Sequence, residues 1–432
     1  MSSPHVLIIG AGVGGPALAI AAAQHGIRCT IFELRSSPGT KGGSIMLQPN
    51  ARRVLDKVIG IPDEMVGKEG FEFDSIDFWW EDGMKIGSVD MSDGGYRSVR
   101  IKREIVQRIL LQKCAEAKDL VEIRYGMKLE KIKEDKGGVT AYFENGTEVR
   151  GNILIGADGI HSKVREHVLG DLAPTPTYSG MVGLGSALPR SLIPLPSPMT
   201  YPSFIYTPSG MIMVVPNDPL AQEIGFAAQR SEDQERTRQG WEEYKTSGGL
   251  ARAIKNDYKD VTTQPVRAMM DNMIEDKVSL WAPYEIPDLE TWHTDRVCLM
   301  GDAAHAIPPS GGQGAGQALE DAGFMSRLLA AKLSTPSSTN KDNDNDAKSS
   351  STTVNDIDYA ALFAHFEKIR KARFESVRTL TKNSGDMRRA KSSFLSTMFR
   401  KYSMKVWFTL QGGYYKNDAV LGYDVAAADI TY

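Results

Sequence analysis

Three kinds of apolar pattern divide the chain. Short continuous runs, Val6-Leu7-Ile8-Ile9, Cys29 to Phe32, Ile153-Leu154-Ile155 and Arg296 to Met300, read as strands buried on both faces, as in a parallel sheet. Apolar residues at helical spacing form the second kind. Val106, Ile109, Leu110 and Cys114 mark a helix over Arg103 to Lys118. Ala315, Ala318, Ala322, Met325 and Leu329 mark another from about Gly314 to Leu333. A helical segment from Gly14 to His25 is stopped by Gly26, and Ala51 to Val58 reads as a short helix after an extended Ser44 to Asn50. The third kind is strand and turn. Val139 to Phe143 and Thr147 to Arg150 flank Asn145-Gly146, a strong hairpin signal, and follow a strand at Val121 to Tyr125. Phe71 to Val89 predicts a second hairpin turning at Glu81-Asp82-Gly83. Between residues 171 and 285, Ser203 to Tyr206, Met211 to Val215 and Glu223 to Ala228 alternate with Pro-rich loops, predicting a mostly antiparallel sheet in its own layer. The fold class expected is α/β, a parallel-sheet nucleotide domain beside an antiparallel one.

Composition narrows this further. A chain of 432 residues has room for two or three domains. Its formal charge of −3, with both signs mixed, leaves no nucleic-acid footprint. Arg400, Lys401 and Lys405 form a local basic group, read as a solvated helix face. Cys29, Cys114 and Cys298 lie far apart without metal-ligand spacing, so buried thiols in a reducing, cytoplasmic setting are expected. No secretory signal or spanning helix is expected, since no apolar run approaches about 18 residues. Phe394 to Leu410 mixes aromatic and basic residues and reads as a packed C-terminal helix, with an interfacial helix as the alternative. Ser334 to Asp358 is almost all Ser, Thr, Asn, Asp and Lys, which predicts a disordered loop.

The chemistry gathers at three turns that each follow a buried strand. Gly10, Gly12 and Gly15 have the G-x-G-x-x-G spacing of a dinucleotide cradle. Gly10 serves the tight turn, Gly12 the close approach of a pyrophosphate, and Gly15 the contact of helix with strand. Glu33 follows at the end of the second strand, placed for ribose hydroxyls. Gly156-Ala157-Asp158-Gly159 and Gly301-Asp302-Ala303-Ala304-His305 are the other two turns. Strands of one parallel sheet bring their C-terminal ends together, so one phosphate cradle and two carboxylates should meet at one sheet edge. The plainer alternative has Asp158 and Asp302 capping their turns.

Together with GADGIHSKVR (Gly156 to Arg165) and DRVCLMGDAAHAIPPSGGQGAGQALEDA (Asp295 to Ala322), the glycine fingerprint resembles the single-component FAD-dependent aromatic hydroxylases, the para-hydroxybenzoate-hydroxylase-like monooxygenases. The resemblance implies a Rossmann-type FAD-binding domain (1–70, 101–170 and 290–333), a substrate-binding sheet domain (71–100 and 171–289) and a C-terminal helical region (359–432). It implies non-covalent FAD and NAD(P)H as a transient co-substrate. The family forms a C4a-hydroperoxyflavin with O2, which inserts one oxygen into an electron-rich organic molecule by hydroxylation or epoxidation. Glu33 would bind the adenosine ribose, with Arg35 close by and Gly43 where a loop approaches the cofactor. Arg103 would contact the phosphate and ribityl region, Asp158 the pyrophosphate, and Asp302 the ribityl hydroxyls. Pro309, Gly312, Gln313, Gly314 and Ala315 would lie against the isoalloxazine. The resemblance makes His305 structural and names no catalytic side chain or metal.

One departure bears on substrate. Phenol-hydroxylating relatives often carry an Arg near the Leu184 position, and this chain has no charge there. A simple anionic phenol is therefore disfavoured, and indole, polyketide or terpenoid substrates stay open. Tyr201 and Tyr206 are candidate pocket residues. A flavin-dependent reductase of the same fold and a non-catalytic FAD-binding redox or interaction protein are the alternatives. A flavin-dependent halogenase is disfavoured, because Trp281-Ala-Pro-Tyr-Glu-Ile-Pro287 lacks the W-x-W-x-I-P signature.

Overall fold

The structure, a computed structural model, describes residues 4–39, 43–334, 357–388 and 393–431. Most of the low-complexity segment expected to be a disordered loop lies outside these residues, as do residues 40–42 just before Gly43.

The continuous apolar runs do form one parallel sheet. Its order is Val297–Leu299, Ile153–Gly156, His5–Ile9, Arg28–Glu33 and Val121–Tyr125. Val6, Leu7 and Ile8 are wholly buried because helices cover both faces. Helix Gly14–Ala23 packs on this sheet and against Gly314–Ser334, where small residues let the two helices approach. Cys29, Cys114 and Cys298 are free and buried, as expected of core thiols.

The second layer is an eight-stranded sheet. It runs Ser279–Trp281, Met181–Pro189, Glu223–Ser231, Gly210–Pro216, Ser203–Thr207, Ser75–Trp80, Lys85–Asp90 and Tyr414–Lys416. Its pairings are antiparallel except that Ser203–Thr207 runs parallel to Ser75–Trp80 and Tyr414–Lys416 parallel to Lys85–Asp90. Two expectations are corrected here. Phe71–Phe73 is not part of the hairpin. It pairs with Tyr96–Lys102 in a separate sheet, while Ser75–Trp80 and Lys85–Asp90 make the hairpin. Within 359–432, expected to be a helical region, Tyr414–Lys416 supplies an edge strand.

Helix Phe394–Leu410 packs one face against this sheet through Phe408, which is 5% exposed. Leu395, Phe399, Tyr402, Val406 and Leu410 stand exposed on the other face. Arg400 and Lys401 are buried rather than solvated. Arg400 bonds the Thr207 carbonyl at 2.6 Å, and Lys401 pairs with Asp82. Among the described residues no helix is long and apolar enough to cross a membrane.

Candidate active site

A cavity of about 1770 Å³ opens between the two layers, at the C-terminal edge of the parallel sheet. The strand-ending turns build one side of it. Gly12, Val13, Gly14, Ala157, Gly159, Gly301 and Asp302 all line the wall. Aromatic and thioether side chains from the large sheet, including Phe78, Phe204, Tyr206 and Met213, line the other.

The glycines divide by task. A Cβ on Gly15 would lie 2.1 Å from the Gly10 carbonyl oxygen, and one on Gly10 would lie 2.3 Å from that of Ala157. These two are required by packing within the protein. A Cβ on Gly12, Gly43 or Gly314 would meet nothing within 4 Å, and all three border the cavity. Here the backbone is bare towards a ligand. Helices starting at Gly14 and Gly314 direct their unpaired N–H groups and positive dipole ends to the same space.

Glu33 ties the second strand to the glycine turn. Its Oε2 accepts from the Ala11 N–H at 2.9 Å and its Oε1 from the Arg35 N–H at 3.0 Å. Gln107 fixes the same turn from the next helix, donating to the Ala11 carbonyl at 2.7 Å. Arg35 itself is exposed.

The two carboxylates differ. Asp158 is spent locally, accepting from the Ser162 hydroxyl at 2.6 Å and from the N–H groups of Lys163 and Val164 at 2.8 and 3.2 Å. It caps the helix Lys163–Leu169 and is not among the cavity-lining residues, which is the plainer of the two roles considered for it. Asp302 makes no hydrogen bond to any described residue and faces the cavity. Its side chain is open to the cavity, and the surrounding cleft walls push its carboxyl up by desolvation, opposed by the charges of His305 and Arg103. A carboxylate in such a place calls for donors from a ligand. Arg103, at the start of helix Arg103–Glu116, lines the same wall.

Pro309, Gly312, Gly314 and Ala315 line the cavity, with Gly312 at φ +65°, a conformation that favours glycine. Gln313 turns the other way. Its side chain, 1% exposed, donates to Gln48 Oε1 at 2.6 Å and accepts from Asn50 at 3.0 Å. Gln48 in turn donates to the Gly311 carbonyl at 3.1 Å, so these amides hold the turn's shape from behind. His305 is likewise inward, bonded to Asp321 and packed against Phe374 with ring centroids 4.5 Å apart.

Sequence reasoning missed the layer beneath the site. Glu320 and Asp321 are fully buried and held by Arg370 and Arg373 from helix Tyr359–Arg388. Burial opposes their ionisation, but the arginine charges, and for Asp321 that of His305, outweigh it and hold both carboxyls below the usual range. The available signal was charge at helical spacing, Glu320 and Asp321 against Arg370 and Arg373. Leu184 needs correcting too. It is wholly buried in the core beneath the large sheet, and Gly185, Ser186 and Ala187 reach the cavity instead. Its lack of charge therefore says nothing about the substrate. Tyr206 lines the cavity, whereas Tyr201 packs into that same core with its hydroxyl on the Ile193 carbonyl.

A parallel sheet with a bare glycine cradle, an unpartnered carboxylate and an antiparallel layer across one cleft defines a flavoprotein oxidoreductase architecture. The FAD binding domain family matches residues 4–342, and the chain belongs to that family. It is an FAD-dependent monooxygenase, and FAD is its cofactor. Among its relatives, 6-hydroxynicotinate 3-monooxygenase of Bordetella bronchiseptica is 28% identical over 333 residues, covering 76% of this chain and 82% of the relative. The 6-methylsalicylate 1-monooxygenase atA of Aspergillus terreus is 28% identical over 347 residues, covering 75% and 74%. Of solved structures, a salicylate hydroxylase substrate complex superposes with a TM-score of 0.75 at 21% identity, covering 99% of this chain and 97% of that one. Klebsiella pneumoniae HpxO complexed with FAD and uric acid gives 0.75 at 19% identity, covering 99% and 98%.

Proposed function

We propose that this monooxygenase oxygenates an aromatic or similarly electron-rich small molecule, held in the aromatic-walled half of the cavity beside the Gly312 turn. The observation that carries the reading is Asp302, a carboxylate open to the cavity with no hydrogen-bond partner among the described residues, opposite a glycine cradle that a side chain would fill. Bound FAD, reduced by NAD(P)H, supplies the activation of O2.

The chain's own residues would bind and orient. Gly12 and the helix start at Gly14 would receive the pyrophosphate, with Arg103 adding charge, and Asp302 would accept hydrogen bonds from the ribityl hydroxyls. Glu33 keeps lone pairs for the adenosine ribose beyond its two backbone bonds, with the exposed Arg35 beside it. Asp158 would act at one remove, holding the turn whose neighbours Ala157 and Gly159 face the cavity. N–H groups at the start of helix Gly314–Ser334 would oppose negative charge on the reduced ring, with Pro309, Gly312 and Ala315 as its wall and Gln313 setting the turn from behind. Phe78, Phe204, Tyr206 and Met213 would exclude water from the transfer.

Residues 1–70, 101–170 and 290–333 would hold FAD, while 71–100 and 171–289 would hold the substrate. Three free buried thiols suit a reducing compartment such as the cytoplasm. Aromatic substrates are favoured because relatives are named as monooxygenases of 6-hydroxynicotinate and 6-methylsalicylate. The test is a screen for aromatic compounds that accelerate NAD(P)H oxidation by the purified holoenzyme, with isotopically labelled O2. One labelled oxygen in the product supports the reading. Acceleration without labelled product would overturn it.

A further inference from the structure

Arg100 sits in the strand Tyr96–Lys102, directly across from Met46 on one side and Phe71 on the other. Its neighbours Val99 and Ile101 point into the core at 0% exposure, so Arg100 and Lys102 share the opposite face and line the cavity. The two cations differ in company. Lys102 has Glu223 at 3.9 Å. The Nε of Arg100 is inaccessible and bonds nothing, and among the described residues no carboxylate lies within ion-pair distance of its guanidinium. Arg100 as a whole is half-buried, and the fully buried arginines, by contrast, are matched. Arg52, Arg53, Arg370 and Arg373 close on carboxylates, and Arg165 on the carbonyls of Ala303 and Ile160.

A guanidinium taken from water without a counter-charge is costly. Burial alone pushes Arg100 down to about 10, with no acid acting against it. It nevertheless remains cationic at neutral pH. Its position says what could compensate it. Arg103, three residues along, opens the next helix, whereas Arg100 stays on the strand between Met46 and Phe71. Met46, its strand neighbour, reaches the Gly312 turn, where a Cβ added to Gly312 would lie 3.7 Å from the Met46 sulfur. Phe204 and Met213 wall the same cavity.

We propose that Arg100 is the anion subsite of the substrate cavity, receiving a carboxylate or ionised hydroxyl on the aromatic substrate and so fixing which ring edge meets the Gly312 turn. This rests on the reading that the aromatic-walled half binds substrate, and it specifies that the substrate is an anion. A planar guanidinium can give a carboxylate two parallel hydrogen bonds, which sets orientation as well as affinity.

The probes are benzoate, salicylate and nicotinate against their primary amides, titrated into the FAD-loaded enzyme and followed by the flavin absorbance spectrum. The carboxylates should bind tighter than the amides by about tenfold or more. Arg100→Met should bring that ratio to near one with FAD content unchanged, and Arg100→Lys should retain part of it. Equal binding of acids and amides by the wild type, or an undiminished ratio in Arg100→Met, would overturn the subsite. So would the absence of any spectral response to all six probes. A lowered flavin reduction potential in Arg100→Met with the ratio intact would assign the guanidinium to the flavin instead. Failure of the functional reading looks different: Arg100-dependent acid binding would persist, but no labelled oxygen would enter any product.

Discussion

His305 Nε2 lies 2.6 Å from Asp321 Oδ2, with both side chains buried, and the same Asp321 oxygen accepts the Gly301 N–H at 2.7 Å. The acidic turn that presents Asp302 to the cavity is thus anchored from beneath by a side chain one helix away. Arg370 completes the anchor at 2.6 Å from Asp321 Oδ1.

That anchor predicts a pH dependence of stability. The folded state depresses the Asp321 carboxyl, so its contribution is fully present above the ordinary carboxylate range and lost as pH falls through the folded value. Melting temperature should decline below about pH 4. Asp321→Asn should be less stable at neutral pH, by about 1–3 kcal/mol, since Arg370 and His305 lose a charged partner while Glu320 still faces Arg370, and flatter with acid. An unchanged acid limb, measured by thermal melts across pH, would contradict this.

His305→Ala removes one partner of the anchor but leaves Arg370 in place. It should cost about 1–3 kcal/mol of stability while product per NAD(P)H consumed stays near wild type. Loss of product with normal flavin reduction and content would require an acid–base role for His305.

Gly12 and Gly15 should separate cofactor binding from folding. Gly12→Ala adds a Cβ that touches nothing in the protein, so the melting temperature of the apoprotein should hold while FAD occupancy falls. Gly15→Ala drives its Cβ against the Gly10 carbonyl, and should destabilise the fold itself by about 1–3 kcal/mol. Absorbance at the flavin band and apoprotein melts together distinguish the two.

Asp302→Ala should weaken FAD binding by about 2 kcal/mol or more, close to thirtyfold in Kd, with little change in apoprotein stability. Asp158→Ala should do the reverse, since its oxygens cap Lys163–Leu169, costing about 1 kcal/mol of stability. Fluorescence titration of FAD into apoprotein gives the first quantity and thermal melts the second.

At the Gly312 turn the amide network alters the outcome expected from position alone. Gln313→Ala reads as a mild change if the side chain merely borders the cavity. Buried and bonded to Gln48 and Asn50, it should instead cost about 1–3 kcal/mol and loosen the turn. Gly312→Val should cost at least as much, because a β-branched residue is strained at φ +65°. Comparing melts and FAD content of the two variants checks both.

Much of the nucleotide half was legible from local pattern. Continuous apolar runs ending in Gly10, Gly156 and Gly301 required a parallel sheet whose strand ends converge, because such strands must be covered on both faces. That was enough to bring the glycine cradle and Asp302 to one cavity. Spacing alone could not say which way a polar side chain turns. Asp158 and Asp302 follow similar glycine turns, yet the helix after Asp158 places three donors on its carboxylate, while Asp302 is left facing open space.

The tertiary structure alone decided the rest, since those contacts join residues far apart in the chain. Gln313 meets Gln48 across 265 positions, and Arg370 meets Asp321 across 49. Leu184 falls in the core by the alternation of a Gly- and Ala-rich strand whose local sequence does not fix its register, and Arg100 reaches the cavity because Val99 and Ile101 take the core face. Local periodicity determines which elements form and which faces they bury. Which buried charge finds a partner, and which is left for a ligand, depends on how those elements pack.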